Sequence, residues 1–293
     1  MIESFLKYLQ FEKRYSSKTI ISYQTDLSQF QKFVTDFFQE PKIEIADYGI
    51  IRSWIVQLIE CKLGPSSINR KIACLRSFYK FLLKEEIILK DPMTKIKVLK
   101  TAKRLPHFVQ ESDMVNLLDN TEFQNDHDGL RSKLILELFY GTGMRLSELI
   151  TLKDQNINLH QQTIKVLGKR NKERVIPFSE SIVSIIEEYR KVRNKEIVVK
   201  DHGYLLVTDS GDELYPMMVY RIVKNRLKGY TSVEKKSPHI LRHSYATQLL
   251  NKGAEINAVK DLLGHSSLAA TQVYTHNSME KLKRVFEQAH PKA

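Results

Sequence analysis

Three stretches of the sequence concentrate side chains able to act on a phosphate. The most distinctive runs Pro238-His-Ile-Leu-Arg-His-Ser-Tyr-Ala-Thr247, then Leu262-Leu-Gly-His-Ser266, then Thr271-Gln-Val-Tyr-Thr-His276. His239 and Arg242 are three apart and share a helix face, and His265 and Tyr274 follow at turns and helix starts. The second stretch is Tyr140-Gly-Thr-Gly-Met-Arg-Leu-Ser-Glu-Leu149, where a glycine turn leads into a helix with Arg145 at its start and Glu148 one turn on, able to steady the guanidinium. The third is a hairpin tip, Gly168-Lys-Arg-Asn-Lys172. Taken singly, the second is matched by any salt-bridged helical arginine and the third by any solvated turn. Their joint occurrence points to chemistry.

A phosphodiester attacked by an oxygen nucleophile gathers charge on its nonbridging oxygens, and two guanidiniums can bind that charge in bidentate fashion. Arg145 and Arg242 suit this task. Imidazoles can hydrogen-bond the same phosphate or move protons, and a lysine can protonate the departing 5′ oxygen, which makes His239, His265 and Lys169 the candidates. The attacking oxygen must come from a side chain able to form a covalent intermediate, and the phenol of Tyr274 qualifies. No carboxylate group with divalent-metal spacing accompanies these residues, and CxxC and HExxH patterns are absent. The expectation is a reaction that needs no metal, no ATP and no other cofactor, each broken bond being kept as a phosphotyrosine ester.

The elements that must position these groups fall into two parts. In the first hundred residues, apolar stripes recur at helical spacing: Ile2, Phe5, Leu6 and Leu9; Ile20, Tyr23, Leu27, Phe30, Val34 and Phe37; Ile51, Trp54, Ile55 and Leu58; and Ile68, Ile72, Leu75, Tyr79 and Leu82. Breaks at Ser16-Ser17, Pro41 and Gly64-Pro65 separate them, which predicts a bundle of four amphipathic helices over residues 1–89. Arg70, Lys71, Arg76 and Lys80 are read as lying away from the apolar stripe of the fourth helix, available to phosphates or base edges. Residues 90–106 lose the period and carry Lys90, Lys95, Lys97, Lys100, Lys103 and Arg104, the pattern of a basic linker. From residue 107 to 293 the chain reads as mainly helical, interrupted by a hairpin whose arms are Thr163-Ile-Lys-Val-Leu167 and Glu173-Arg-Val-Ile-Pro177. The fold expected is mainly α with a small β-sheet.

Composition narrows the partner. Lys and Arg outnumber Asp and Glu by 46 to 34, and the surplus is larger in residues 1–106, with 19 against 11, than in the remainder. Such a balance seeks a polyanion. No apolar run is long enough to span a bilayer, and the start MIESFLKYLQFEKR lacks the basic-then-apolar order of a signal peptide. Cys61 and Cys74 both sit in apolar helical patterns, as in a reducing compartment. DNA, RNA or an anionic membrane surface would each fit that surplus, and the cytoplasm is the compartment these features favour.

Arginine, lysine, HxxR, LLGH and a terminal tyrosine, in this order, resemble the tyrosine recombinases over nearly the whole chain. The resemblance implies a SAM-like core-binding domain over 1–89, a catalytic domain over 107–293 and a C-shaped clamp on DNA. It implies a pentad of Arg145, Lys169, His239, Arg242 and His265 around the phosphate, Tyr274 as nucleophile of a 3′-phosphotyrosyl bond, and Glu148 supporting the first arginine. Where the family has a GKGNK-like turn, this chain has Arg170 in place of glycine, and Arg170 and Lys172 become further candidates for DNA contact. The segment of about 278–290, with Met279, Leu282, Val285 and Phe286 in one stripe, resembles the family's final helix, which docks into a neighbouring subunit. The implied assembly is a homo- or hetero-tetramer on two DNA sites, with a Holliday junction between them and with a second recombinase and a DNA translocase as further partners. Length and the early first helix resemble the Xer-type members, implying resolution of chromosome dimers at a dif-like site. Integration or excision of a mobile element is the alternative, followed by type IB topoisomerase action and a non-catalytic DNA-binding role.

Overall fold

The computed structural model describes residues 1–101, 108–168, 173–264 and 289. The chain forms two compact units, Met1–Leu105 and Pro106–Ala293. Among the described residues no helix is long and apolar enough to cross a membrane.

The first unit consists of α1 (Ile2–Lys7), which widens into a π-helical turn over Tyr8–Glu12, α2 (Ser17–Phe38), α3 (Tyr48–Glu60) and α4 (Pro65–Lys84). The Ser16 hydroxyl accepts from Thr19 N at the start of α2, the Asp47 carboxylate accepts from Ile50 N at the start of α3, and Pro65 opens α4, three ordinary ways to begin a helix. Phe5, Leu27, Phe30, Val34, Ile51, Trp54, Ile72, Leu75, Phe78 and Leu82 form the core. Phe37 departs from the expected stripe. It lies in the last turn of α2, before the helix stops at Gln39 in the left-handed region, is 64% exposed and packs its ring, tilted, against Phe33.

Part of the segment expected to be a linker is folded onto this unit. Met93 and Ile96 are buried in its core. Asn69 exchanges two hydrogen bonds with the backbone of Leu99, and Arg76 donates to Ile96 O. Two buried apolar residues without a period, together with hydrogen bonds from Asn69 and Arg76 of α4, hold the segment down.

In the second unit α6 (His127–Thr142) is the central helix. It is buried almost all round, with α8 (Glu180–Glu196) and α10 (Pro238–Asn251) packed most extensively against it and α5 (Glu111–Asp119) and α9 (Pro216–Arg226) adding to its cover. Such a helix shows no single apolar stripe, because every face is core. A three-stranded antiparallel sheet follows the short α7 (Leu146–Ile150): β1 (Ile157–Asn158), β2 (Thr163–Leu167) and β3 (Glu173–Pro177) in that order. The register pairs Ile164 with Ile176 and Val166 with Arg174, so these four share one face, and it is the buried one. Finally α11 (Ile256–Leu263) packs on α10 through Tyr245, Leu249, Val259, Leu262 and Leu263, a cluster that also buries Ala289.

Candidate active site

Helix α6 ends at Gly143, in the left-handed region at φ +59°, where a Cβ would meet the Tyr245 ring at 2.4 Å. Only glycine allows this turn, and two residues later it delivers Arg145 to the N-cap of α7. Glu148, in the first turn of α7, reaches back: its Oε2 accepts from Arg145 N at 2.7 Å and its Oε1 from Arg145 Nη1 at 2.8 Å. The predicted support of Arg145 by Glu148 is therefore present as a contact.

Arg242 lies one turn into α10, a helix opened by Pro238, and is buried to 6% exposure. Its Nη1 donates to Gly143 O and its Nη2 to Leu263 O, the latter at 2.7 Å. The remaining Nη of Arg145 donates to Gly264 O at 2.7 Å. Leu263 O and Gly264 O stand at the carboxyl end of α11 and Gly143 O at that of α6, places where a helix leaves its last carbonyls without internal partners and carries partial negative charge. The geometry fixes two guanidiniums side by side on adjacent carbonyls of one helix end.

A third guanidinium, which the sequence reading passed over, completes the arrangement. Arg174 points inward from β3, donating to both oxygens of Glu148, at 2.6 and 2.9 Å, and through Nε to Leu262 O at 3.0 Å. The signal was available in the alternation of the strand: in Glu173-Arg-Val-Ile-Pro177, Arg174 is in phase with Ile176 and so belongs to the apolar face. A charged residue at a core-facing position calls for a buried partner.

The electrostatics follow from this count of charges. Three guanidiniums share the site with one carboxylate, which bonds two of them, Arg145 and Arg174, and the other acceptors are neutral carbonyls. Burial, followed by repulsion from Arg145 and Arg174, pushes the Arg242 pKa down to about 10. Burial alone would raise the Glu148 carboxyl, but the hydrogen bonds and charge of Arg174, then those of Arg145, outweigh it and hold the group below the usual carboxylate range. The cluster is thus a preformed, partly dry, positively charged seat for an anion.

His239 is exposed in the first turn of α10, on the face it shares with Arg242. His243, one turn further, is drawn below the ordinary imidazole pKa by burial and then by the charge of His239. Lys169, Arg170, Lys172, His265, Tyr274 and the expected helix at 278–290 lie outside the described residues, Ala289 excepted.

The basic residues of α4 separate into two kinds. Lys71 is not on an outer face as expected: it falls between Ile68 and Leu75 in the apolar stripe and is 5% exposed, with its Nζ 2.8 Å from Asp26 Oδ1, bonded also to Gln29 and 5.8 Å from the Trp54 ring centroid. Arg70 is half exposed but forks onto both oxygens of Asp26 and also donates to Ser22. Arg76 is half-buried on Ile96 O, and Lys80 is exposed.

Comparison with known sequences agrees with this architecture. The profile of the phage integrase family matches residues 107–281, and that of the phage integrase N-terminal SAM-like domain matches residues 2–86. The tyrosine recombinase XerC of Chlorobaculum parvum is 35% identical over 320 residues, covering 100% of this chain and 94% of its own length. That of Staphylococcus carnosus is 38% identical over 291 residues, covering 99% and 97%. Among solved structures, the XerH site-specific recombinase bound to palindromic difH substrate superposes with a TM-score of 0.72 at 21% identity, covering 97% of this chain and 93% of that one. The integrase of transposon Tn1549 in complex with transposon right-end DNA gives 0.73 at 18% identity, covering 97% and 98%. Fold and site together define a two-unit enzyme of DNA strand transfer. The chain belongs to the phage integrase family, the site-specific tyrosine recombinases.

Proposed function

We propose that the chain cuts and rejoins double-stranded DNA at specific sites through Tyr274. The observation that carries this reading is the seating of Arg145 and Arg242 on adjacent carbonyls, Gly264 and Leu263, directly before His265 in the chain. Two fixed guanidiniums there bind the nonbridging oxygens of the scissile phosphate. The Tyr274 hydroxyl attacks phosphorus, giving up its proton, and the bond to the 5′ oxygen breaks. Lys169 protonates that oxygen, His239 and His265 hydrogen-bond the phosphate or move protons, and Glu148 holds Arg145. The product is a 3′-phosphotyrosyl ester, which the 5′ hydroxyl of a partner strand attacks to restore a phosphodiester. The cycle uses no cofactor.

The XerC names of the relatives support a Xer-type role. The reading extends that role to chromosome dimer resolution at a dif-like site in the cytoplasm, by a tetramer on two sites with a second recombinase and a translocase as partners. The DNA complexes of XerH and the Tn1549 integrase support double-stranded DNA as the ligand. In the tetramer the segment at 278–290 docks in a neighbour; since Ala289 is buried against α10 and α11 of its own chain, exchange displaces that contact. Arg170 and Lys172 add DNA contacts beside Lys169.

A nicked suicide duplex carrying the target site tests the chemistry. Wild-type protein accumulates a covalent protein–DNA adduct, and Tyr274→Phe yields none. Arg242→Ala binds the duplex but forms the adduct about 10²–10³-fold more slowly. An adduct that persists in Tyr274→Phe, or unchanged cleavage by Arg242→Ala, rejects this mechanism.

A further inference from the structure

Arg174 is the one guanidinium of the cluster whose whole fork is spent on the protein. It is 4% exposed, and its Nη1, Nη2 and Nε all donate to buried acceptors. Those acceptors belong to two different elements, Glu148 on α7 and Leu262 on α11, while Arg174 itself is on β3. The same two elements hold Arg145, through Glu148 on one side and Gly264 O on the other. Arg174 also fits closely against Gly264, where a Cβ would come within 3.1 Å of its Cδ, and Gly264 sits at φ +62°. Three consecutive carbonyls, Leu262, Leu263 and Gly264, thus receive Arg174, Arg242 and Arg145 in turn.

We propose that Arg174 is a positioning residue for DNA cleavage, setting the geometry of Arg145 through Glu148 and of the α11 end that precedes His265. The proposal rests on the reading of Arg145 and Arg242 as phosphate ligands. The physical ground is the planarity of the fork. Both Glu148 oxygens are shared between two arginines, each oxygen accepting one bond from each residue. With the carboxylate plane set by the bidentate contact from Arg174, only one orientation of the Arg145 guanidinium satisfies its remaining bonds. A lysine at position 174 would keep the charge and lose the plane. Displacing a catalytic group by about 1 Å costs roughly 10²-fold in rate.

The test measures single-turnover cleavage of the nicked duplex at saturating protein, together with the binding constant, for Arg174→Lys, Glu148→Gln, Arg145→Lys and the double variant Arg145→Lys/Arg174→Lys. Arg174→Lys is expected to cleave about 10²-fold more slowly, with binding within about threefold of wild type. Because Arg174 acts through Arg145, the double variant cleaves within about threefold of Arg145→Lys alone. Multiplying defects would show an independent role and overturn the proposal. Should Arg174→Lys fold poorly, Glu148→Gln breaks the same link from the other partner and must show the same split between rate and binding. If both variants lose binding in proportion to cleavage, Arg174 is scaffold and the proposal fails. Normal cleavage by Arg145→Lys would reject the underlying phosphate reading; impaired Arg145→Lys with normal Arg174→Lys rejects only the positioning role.

Discussion

Each unit of this protein buries one carboxylate among basic side chains, and the two clusters use it in opposite ways. In the first unit Asp26 takes a bidentate fork from Arg70 and an ammonium from Lys71. Lys71 is spent there: it is buried, its remaining contacts are Gln29 and the face of Trp54, and it faces no solvent. In the second unit Glu148 serves Arg145 and Arg174, while Arg242 and the free end of Arg145 rest on carbonyl oxygens. A carbonyl fixes a guanidinium without cancelling its charge, whereas a carboxylate does both. Neutral acceptors are therefore what a site needs if it is to hold cations in place and still attract a phosphate.

The sharpest way to break this comparison is to remove each carboxylate charge separately. Asp26→Asn leaves the Lys71 ammonium buried beside a neutral partner, and the expected loss is about 3–5 kcal/mol of stability in the first unit. Trp54 is the single tryptophan of the sequence and lies against Lys71, so urea unfolding followed by its fluorescence reads this unit selectively. The midpoint should fall markedly, while the catalytic unit, followed by cleavage at saturating DNA, should be unaffected chemically. A midpoint that does not move would mean that Asp26 is not the counter-ion on which Lys71 depends.

Glu148 carries a smaller effect that depends on pH. Its folded pKa lies below the unfolded value, chiefly because hydrogen bonds and charge from Arg174 and Arg145 outweigh its burial. The stability it contributes is therefore fully present above the unfolded carboxylate pKa of about 4.3 and is lost as pH falls through the lower folded value, at up to about 1.4 kcal/mol per pH unit. Against wild type, Glu148→Gln should be less stable at neutral pH, with the gap narrowing below about pH 4 in circular dichroism melts. A gap constant across that range would show that the carboxylate is not ionised preferentially in the folded state.

The contrast between the clusters also explains what the sequence made legible. Helices α1 to α4 could be read because half-buried helices repeat their apolar residues every three to four positions, and the site motifs named Arg145, Glu148 and Arg242 by type and spacing. Beyond the Glu148 contact, the way those arginines are held could not be read, because their other acceptors lie 99, 21 and 119 residues away at Gly143, Leu263 and Gly264 and are backbone atoms without a side-chain signature. Arg174 escaped for a different reason. A strand of five residues gives too short an alternation to set one arginine apart from solvated neighbours, although its phase with Ile176 held the information. Lys71 was misplaced because a lysine in a basic helix reads as solvent-facing unless its position between Ile68 and Leu75 is weighed against an acid 45 residues earlier.

That distinction can be sharpened on a single helix, where the effect is smallest. Lys80 is exposed on α4 and Lys71 is buried on it, so only Lys80 is placed to exchange counterions with a phosphate backbone. Each phosphate neutralised contributes close to one unit to the slope of log binding constant against log salt. Lys80→Ala should therefore weaken binding about equally on target and unrelated duplexes and lower the magnitude of the slope by about one. Lys71→Met, which keeps the length of the side chain and leaves Asp26 with Arg70, should leave the slope unchanged. Equal slopes for Lys80→Ala and wild type would remove the outer face of α4 from the DNA interface. A reduced slope for Lys71→Met would mean that the buried ammonium is released from Asp26 when DNA binds, and the two clusters would then differ in when their charge becomes available rather than in whether it does.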